Sequence, residues 1–191
     1  MIDKVFNVIT SEINNYFNSK LGTSTEGRII ASNISEAGNG NAASIDNMVV
    51  MSLVNIEEDR ISRPPDNYRR SGQQMTMVKP PYYLNLYILF AANFDVTNYT
   101  TALQNIAYII QFFQFKNVFT RLNTPTLDPG LKELIFDMKT LSVQDLNNLW
   151  GVLGSKYMPS VLFKVRLITI SEEFTEASVP LIKEIQIEDT N

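Results

Sequence analysis

Residues 80–94 read Pro-Pro-Tyr-Tyr-Leu-Asn-Leu-Tyr-Ile-Leu-Phe-Ala-Ala-Asn-Phe, and they constrain the fold more than any other stretch. Each proline fixes its own φ and turns the residue before it away from helix, so the chain enters extended. The apolar run that follows is too continuous for a half-exposed strand, which would alternate. Its most apolar window, 83–92, is about half of the roughly 20 residues that a membrane-spanning helix needs. A central strand with both faces covered satisfies both limits. Such a strand needs neighbours on each side and packed layers above and below it.

The flanking patterns supply them. Residues 2–21 place Ile2, Val5, Phe6, Ile9, Ile13, Phe17 and Leu21 on one stripe, with Gly22 where a helix stops. A turn at 22–27 leads to an expected strand at Arg28–Ile34, and a Gly/Asn-rich loop spans Ser35–Ala43. Asn47–Ile56 is apolar at nearly every position and reads as another central strand. A second helix is expected from Asn98 to Phe115, with the stripe Tyr99, Leu103, Ile106, Ile110 and Phe113 widened by Ala102, Ile109 and Phe112. Val118–Thr120 reads as a short extended piece, and Leu131–Leu141 as a half-exposed strand after the turn Asp128-Pro129-Gly130. Ser142 and Asp145 form a capping-box pattern ahead of a helix that Gly154 ends, and Val161–Ile170 alternates as a last strand.

The predicted fold class is therefore α/β in the α+β sense: a mixed β-sheet packed with about three helices across residues 1–170. Residues 57–79 interrupt it. They are polar and contain Pro64-Pro65, so they read as a protruding arm or long loop, within which Gln73–Lys79 can pair with what precedes it as an extended β-arm. Residues 171–191 form an acidic tail with a brief alternation at Leu181–Ile187.

Composition then narrows the chemistry. The 191 residues contain no histidine and no cysteine, which removes the usual triad base, thiolate catalysis and the commonest zinc ligands. Phosphate-cradling and nucleophile-elbow motifs are missing as well. Glu57, Glu58 and Asp59 are adjacent carboxylates that a hard-cation or acid–base site could use, but successive strand residues point to opposite faces and no spaced ligand set accompanies them, so a solvated strand end is the better explanation. The formal charge of −4 gives the chain no nucleic-acid footprint. The start of the chain shows no secretory pattern, so the expectation is a soluble protein made and assembled in the cytoplasm.

Two surfaces are candidates for contact. The arm carries Arg60, Arg63, Arg69, Arg70 and Lys79 beside Tyr68, residue types enriched where proteins meet. A silent solvated loop and an anion-binding or nucleic-acid-binding arm are the alternatives. Tyr87, Phe90, Phe112, Phe113, Phe115 and Phe119 read first as core, since large apolar side chains are mostly buried, but Phe112, Phe113 and Phe115 sit on different faces of one helix, and a single sheet cannot cover them all. Phe112 and Phe115 are accordingly taken with the arm as the interface set.

Several stretches carry a resemblance in the same order. They are Asp46–Glu58, Tyr68-Arg69-Arg70, Pro80–Phe94, Ile110-Gln111-Phe112-Phe113, Leu141–Leu153 and Lys156–Leu162. Over roughly residues 3–170 the chain resembles the tail-terminator, or cap, family of contractile injection systems, which are phage-tail-like bacterial machines. The resemblance implies a structural protein that forms a hexameric ring on the distal end of the inner tube and holds the last sheath ring. Its implied partners are its own copies, the tube protein and the sheath protein, with no cofactor, metal, nucleic acid or small-molecule substrate.

Overall fold

The structure, a computed structural model, describes residues 1–21, 29–36, 45–59, 68–71, 74–78, 82–170 and 175–180, with backbone alone at 36, 68–71, 74–78, 167–170 and 175–180. The chain divides into two compact units. One comprises Met1–Glu57 with Leu84–Ile168, the other Glu58–Tyr83 with Thr169–Asn191.

The first unit is built on helix α1 (Ile2–Leu21) and strands β1 (Ile29–Ala31) and β2 (Met48–Glu58). Strands β3 (Tyr68–Ser71) and β4 (Gln74–Val78) come next in the chain and belong to the second unit. The first unit resumes with β5 (Tyr82–Asn93), α2 (Tyr99–Phe115), β6 (Val118–Thr120), β7 (Glu133–Lys139), α3 (Val143–Leu153) and β8 (Ser160–Ile170). Its six strands lie in the order β1-β2-β5-β8-β7-β6. The pair β1/β2 is parallel, with Ile29 opposite Val49. The pairs β6/β7 and β7/β8 are antiparallel, with Phe119 opposite Leu134 and Phe136 opposite Val165. The sheet is thus mixed, as the chain order predicts.

Strand β5 lies inside the sheet and is covered on both faces. Leu86, Ile88, Phe90 and Ala92 pack with α1 and α2, while Leu89 and Ala91 pack with Trp150 of α3. An apolar residue is therefore required at nearly every position from Leu86 to Ala92. The α1/α2 layer centres on aromatic rings. Phe113 lies 4.4 Å from the Phe163 centroid, stacks on Phe136 at 4.5 Å and meets Phe90 at 5.6 Å.

The caps of α3 follow from local chemistry. Ser142 Oγ accepts from the Asp145 amide at 3.1 Å and donates to the Asp145 carboxylate at 2.7 Å. Gly154 closes the helix at φ +66°, a conformation that costs any residue with a Cβ.

Helix α2 forms where expected but faces elsewhere. Its buried residues are Ala102, Asn105, Ile109, Phe112 and Phe113, whereas Tyr99, Leu103 and Ile110 of the predicted stripe are exposed. The cause is α1, which lies alongside. Tyr16 meets Phe112 at 5.4 Å and Phe17 meets Tyr108 at 6.0 Å, so the buried arc turns toward that neighbour.

The second unit holds an antiparallel sheet of order β3-β4-β9, where β9 is Thr175–Pro180. Arg70 sits opposite Met75 and Thr76 opposite Ser178, with a register shift between Met77 and Val78. Of the two alternatives for residues 57–79, a long loop or an extended β-arm, the arm's pairing is present as β3 and β4. Strand β9 comes from the acidic stretch, so basic and acidic segments share one sheet of one chain. The alternation at Leu181–Ile187 lies outside the described residues.

Candidate assembly surfaces

One polar cluster lies on the first unit's sheet. The Tyr87 hydroxyl donates to Glu57 Oε2 at 2.7 Å, and Lys164 Nζ donates to the same oxygen at 3.3 Å. The lysine also sits 5.6 Å over the Tyr87 ring. These residues stand on β2, β5 and β8, three adjacent strands. Val54 and Tyr87 both pack on the α3 side of the sheet, yet Glu57, three residues after Val54, reaches Tyr87. Between Val54 and Glu57 along β2, the Asn55 side-chain oxygen accepts from the Ile56 amide at 2.9 Å.

The cluster's electrostatics suit a brace and not a reactive centre. The hydrogen bond to Glu57 raises the Tyr87 phenol above its ordinary 10.0, with burial adding to it. Burial alone lowers Lys164, but the Glu57 carboxylate and Tyr87 outweigh it and hold the ammonium above 10.5. At neutral pH the phenol stays protonated and the amine charged, so neither serves as base or nucleophile. Among the described residues, no group of three or more acidic side chains is placed to hold a metal ion. No helix among them is long and apolar enough to cross a membrane.

The predicted interface residues are distributed as follows. Arg60, Arg63 and Lys79 lie outside the described residues. Tyr68, Arg69 and Arg70 occupy successive backbone positions on β3, opposite Met77, Thr76 and Met75. Phe115 is 86% exposed at the end of α2. Phe112 is instead buried in the aromatic core, between Tyr16, Phe113 and Phe119, because the turn of α2 toward α1 carries it inward. It has no surface to offer a partner.

The arrangement adds a face that the residue pattern did not single out. Tyr99, Leu103 and Ile110 run along the outer side of α2, and Met138 is exposed at the end of β7. A cleft of about 540 Å³ opens at the start of the same helix, between Asn93, Phe94, Val96, Tyr99, Ser155 and Tyr157. One signal for this face was present in the sequence: from Tyr99 to Phe115 there is no charged residue.

The architecture is similar to two solved structures. One is the sheath/tube terminator, in its extended state, of the extracellular contractile injection system PVC, at a TM-score of 0.65 and 14% identity over 100% of this chain. The other is the anti-feeding prophage cap, a tube-terminating cap, at a TM-score of 0.65 and 13% identity over 98% of this chain. The chain spans less than two thirds of either neighbour, 64% and 61% of their lengths. No curated protein sequence matches it. Residues 4–184, nearly the whole of the sequence, match the family described as the Pvc16 N-terminal domain, and the chain belongs to that family.

Proposed function

We propose that this chain acts as a structural cap of a contractile injection system, a ring of six copies that closes the distal end of the inner tube and holds the last ring of sheath. The family match over residues 4–184 carries this reading, together with two structural neighbours that are themselves tube terminators. The side-chain inventory agrees: a terminator recognises protein surfaces, and a chain without histidine or cysteine has little means of proton or thiolate chemistry. Its partners are its own copies, the tube protein and the sheath protein, and it is not an enzyme. It assembles in the cytoplasm as part of a phage-tail-like particle. Residues 57–79 act as an arm between copies, through Arg60, Arg63, Tyr68, Arg69, Arg70 and Lys79, with Phe115 as a further contact; residues 171–191 are its acidic complement.

The test is negative-stain microscopy of the purified chain mixed with its tube and sheath proteins. Rings with a central opening seated on tube ends are expected. Tubes that grow to unrestricted length beside unbound chain contradict the proposal.

A further inference from the structure

Strand β7 outruns its neighbour at the edge of the six-stranded sheet. Strand β6 pairs only with Glu133, Leu134 and Ile135, and one further bond on that side runs from the Phe136 amide to the Asn117 carbonyl at 2.8 Å. In an antiparallel strand a residue's N–H and C=O point to the same side, and residues two apart point alike. Met138 therefore turns both backbone groups outward, and no described strand takes them up. On its inner side β7 stays paired with β8 as far as Lys139, opposite Leu162. The other strand that outruns its neighbour, β2, has its Ile56 amide bonded to the Asn55 side chain. An open edge like that of β7 is a template for one more strand.

The surface beside this edge has room for side chains on both faces. A trough of about 510 Å³ runs along the end of α2, lined by Ile110, Phe113, Asn117, Phe136, Met138 and Phe163. Asp137 borders it too, with its carboxylate held by Arg166 Nε at 2.6 Å. A second hollow, of about 280 Å³, lies past Met138 between Lys139, Leu141, Leu146 and Leu162. Phe136 and Phe163 belong to the α1/α2 layer, Leu146 and Leu162 to the α3 layer, so the hollows open on opposite faces of the sheet. Successive side chains of an added strand point to those two faces in turn.

The chain holds one run that suits this edge and has no place in its own sheet. Gln74, the first residue of β4, faces Pro180, the last of β9, so that ladder is exhausted where the run Leu181–Ile187 begins. Extended, the run puts Leu181, Lys183, Ile185 and Ile187 on one side, and Ile182, Glu184 and Gln186 on the other. Charge agrees as well. Glu184, Glu188 and Asp189 outnumber Lys183, whereas at the edge Arg166 already matches Asp137 and leaves Lys139 over.

We propose that Leu181–Ile187 of one copy adds as a strand to the free end of β7 in the next copy. Backbone pairing holds it, and the trough beside α2 selects its apolar side. Donor and acceptor are different parts of the chain, so the contact is heterologous and repeats head to tail until rotation closes a ring. The inference rests on the reading of the chain as a ring-forming cap, and names a joint between its copies.

The chain has no cysteine, so introduced thiols report the contact directly. Met138→Cys in one preparation is mixed with Lys183→Cys, Glu184→Cys or Ile185→Cys in another and oxidised mildly. Paired strand residues fall within the Cα separation of about 4.4–6.8 Å that a disulfide needs. At least one mixture should give a covalent dimer, and no variant oxidised alone should. A chain carrying both thiols should give a ladder of linked copies. No cross-link at any of the three positions, or a bond closed within one chain, overturns the proposal. Met138→Lys, at an exposed position, and truncation after Pro180 should each keep the native circular dichroism spectrum and lose the assembly seen by multi-angle light scattering. Native-sized assemblies from either overturn it too. Tubes capped normally by the truncated chain remove this joint and leave the cap reading standing, whereas cross-linked copies that ignore tube ends do the reverse.

Discussion

Lys116 Nζ lies 2.7 Å from Glu12 Oε2, fastening the end of α2 to the middle of α1. The same ammonium donates to the Asn123 carbonyl at 3.1 Å and sits 5.0 Å over the Phe119 ring. A cation there complements the carboxyl end of the helix, and the aromatic floor shields the pair from water. Removing one partner leaves the other charge half-buried and unmatched. Lys116→Met and Glu12→Gln should each cost about 1–2 kcal/mol, and the double variant less than their sum. Urea denaturation in a double-mutant cycle measures the coupling, and strict additivity would show that the pair is inert.

Phe113 and Phe115 are two residues apart on α2 and should behave oppositely. Phe113 stacks within the aromatic core, so Phe113→Ala should destabilise by about 3–5 kcal/mol. Phe115→Ala should change the stability of the isolated chain by about 0.5 kcal/mol or less. Thermal unfolding compares the two directly.

Gly151 and Gly154 give a matched pair of the same kind. Gly151 is helical with open space around it, so Gly151→Ala should stabilise by about 0.5–1 kcal/mol. Gly154 is left-handed at φ +66°, so Gly154→Ala should destabilise by about 1 kcal/mol. Melting temperatures moving in the same direction would refute the account of this helix end.

The Glu57–Tyr87–Lys164 cluster predicts alkaline sensitivity. Both Tyr87 and Lys164 hold their protons more tightly in the folded chain than in the unfolded one. Their contribution is complete below pH 10, where both states are protonated. It is lost as pH rises through the folded titrations, because the unfolded chain releases protons first. Tyr87→Phe should cost about 0.5–1 kcal/mol at neutral pH for this partly exposed bond. It should also flatten the decline above about pH 10. Denaturation midpoints from pH 8 to 11 read both effects, and parallel curves for variant and native chain would count against the brace.

Arg69→Glu with Arg70→Glu tests the arm. The double variant should keep the circular dichroism spectrum of the native chain and fail to assemble, because charge reversal at a contact turns attraction into repulsion. An intact ring in that variant removes the arm from the contact.

Local and pattern-borne features were legible in the residues themselves. An uninterrupted apolar run marked β5 as central, since a strand covered on two faces needs no alternation. The Ser142 and Gly154 caps were equally plain, because a cap is chemistry between neighbours a few residues apart. The hairpin of β3 and β4 was less plain, since residues 57–79 read equally as a long loop; the strength of the tail-terminator resemblance lay in several separate stretches kept in order.

What the tertiary structure decided concerns direction and distant partners. The apolar arc on α2 is wide enough to permit several orientations, and only contact with Tyr16 and Phe17 of α1 selects which part is buried. That choice sends Phe112 inward and leaves Leu103 and Ile110 outside. Thr76 and Ser178 face each other across β4 and β9, and Glu57 meets Lys164 across 107 residues. Periodicity says which residues of an element share a face, because that follows from backbone geometry. Which face is covered, and by what, follows from the free energy of burying surface against elements far along the chain, and exists only once the chain has folded.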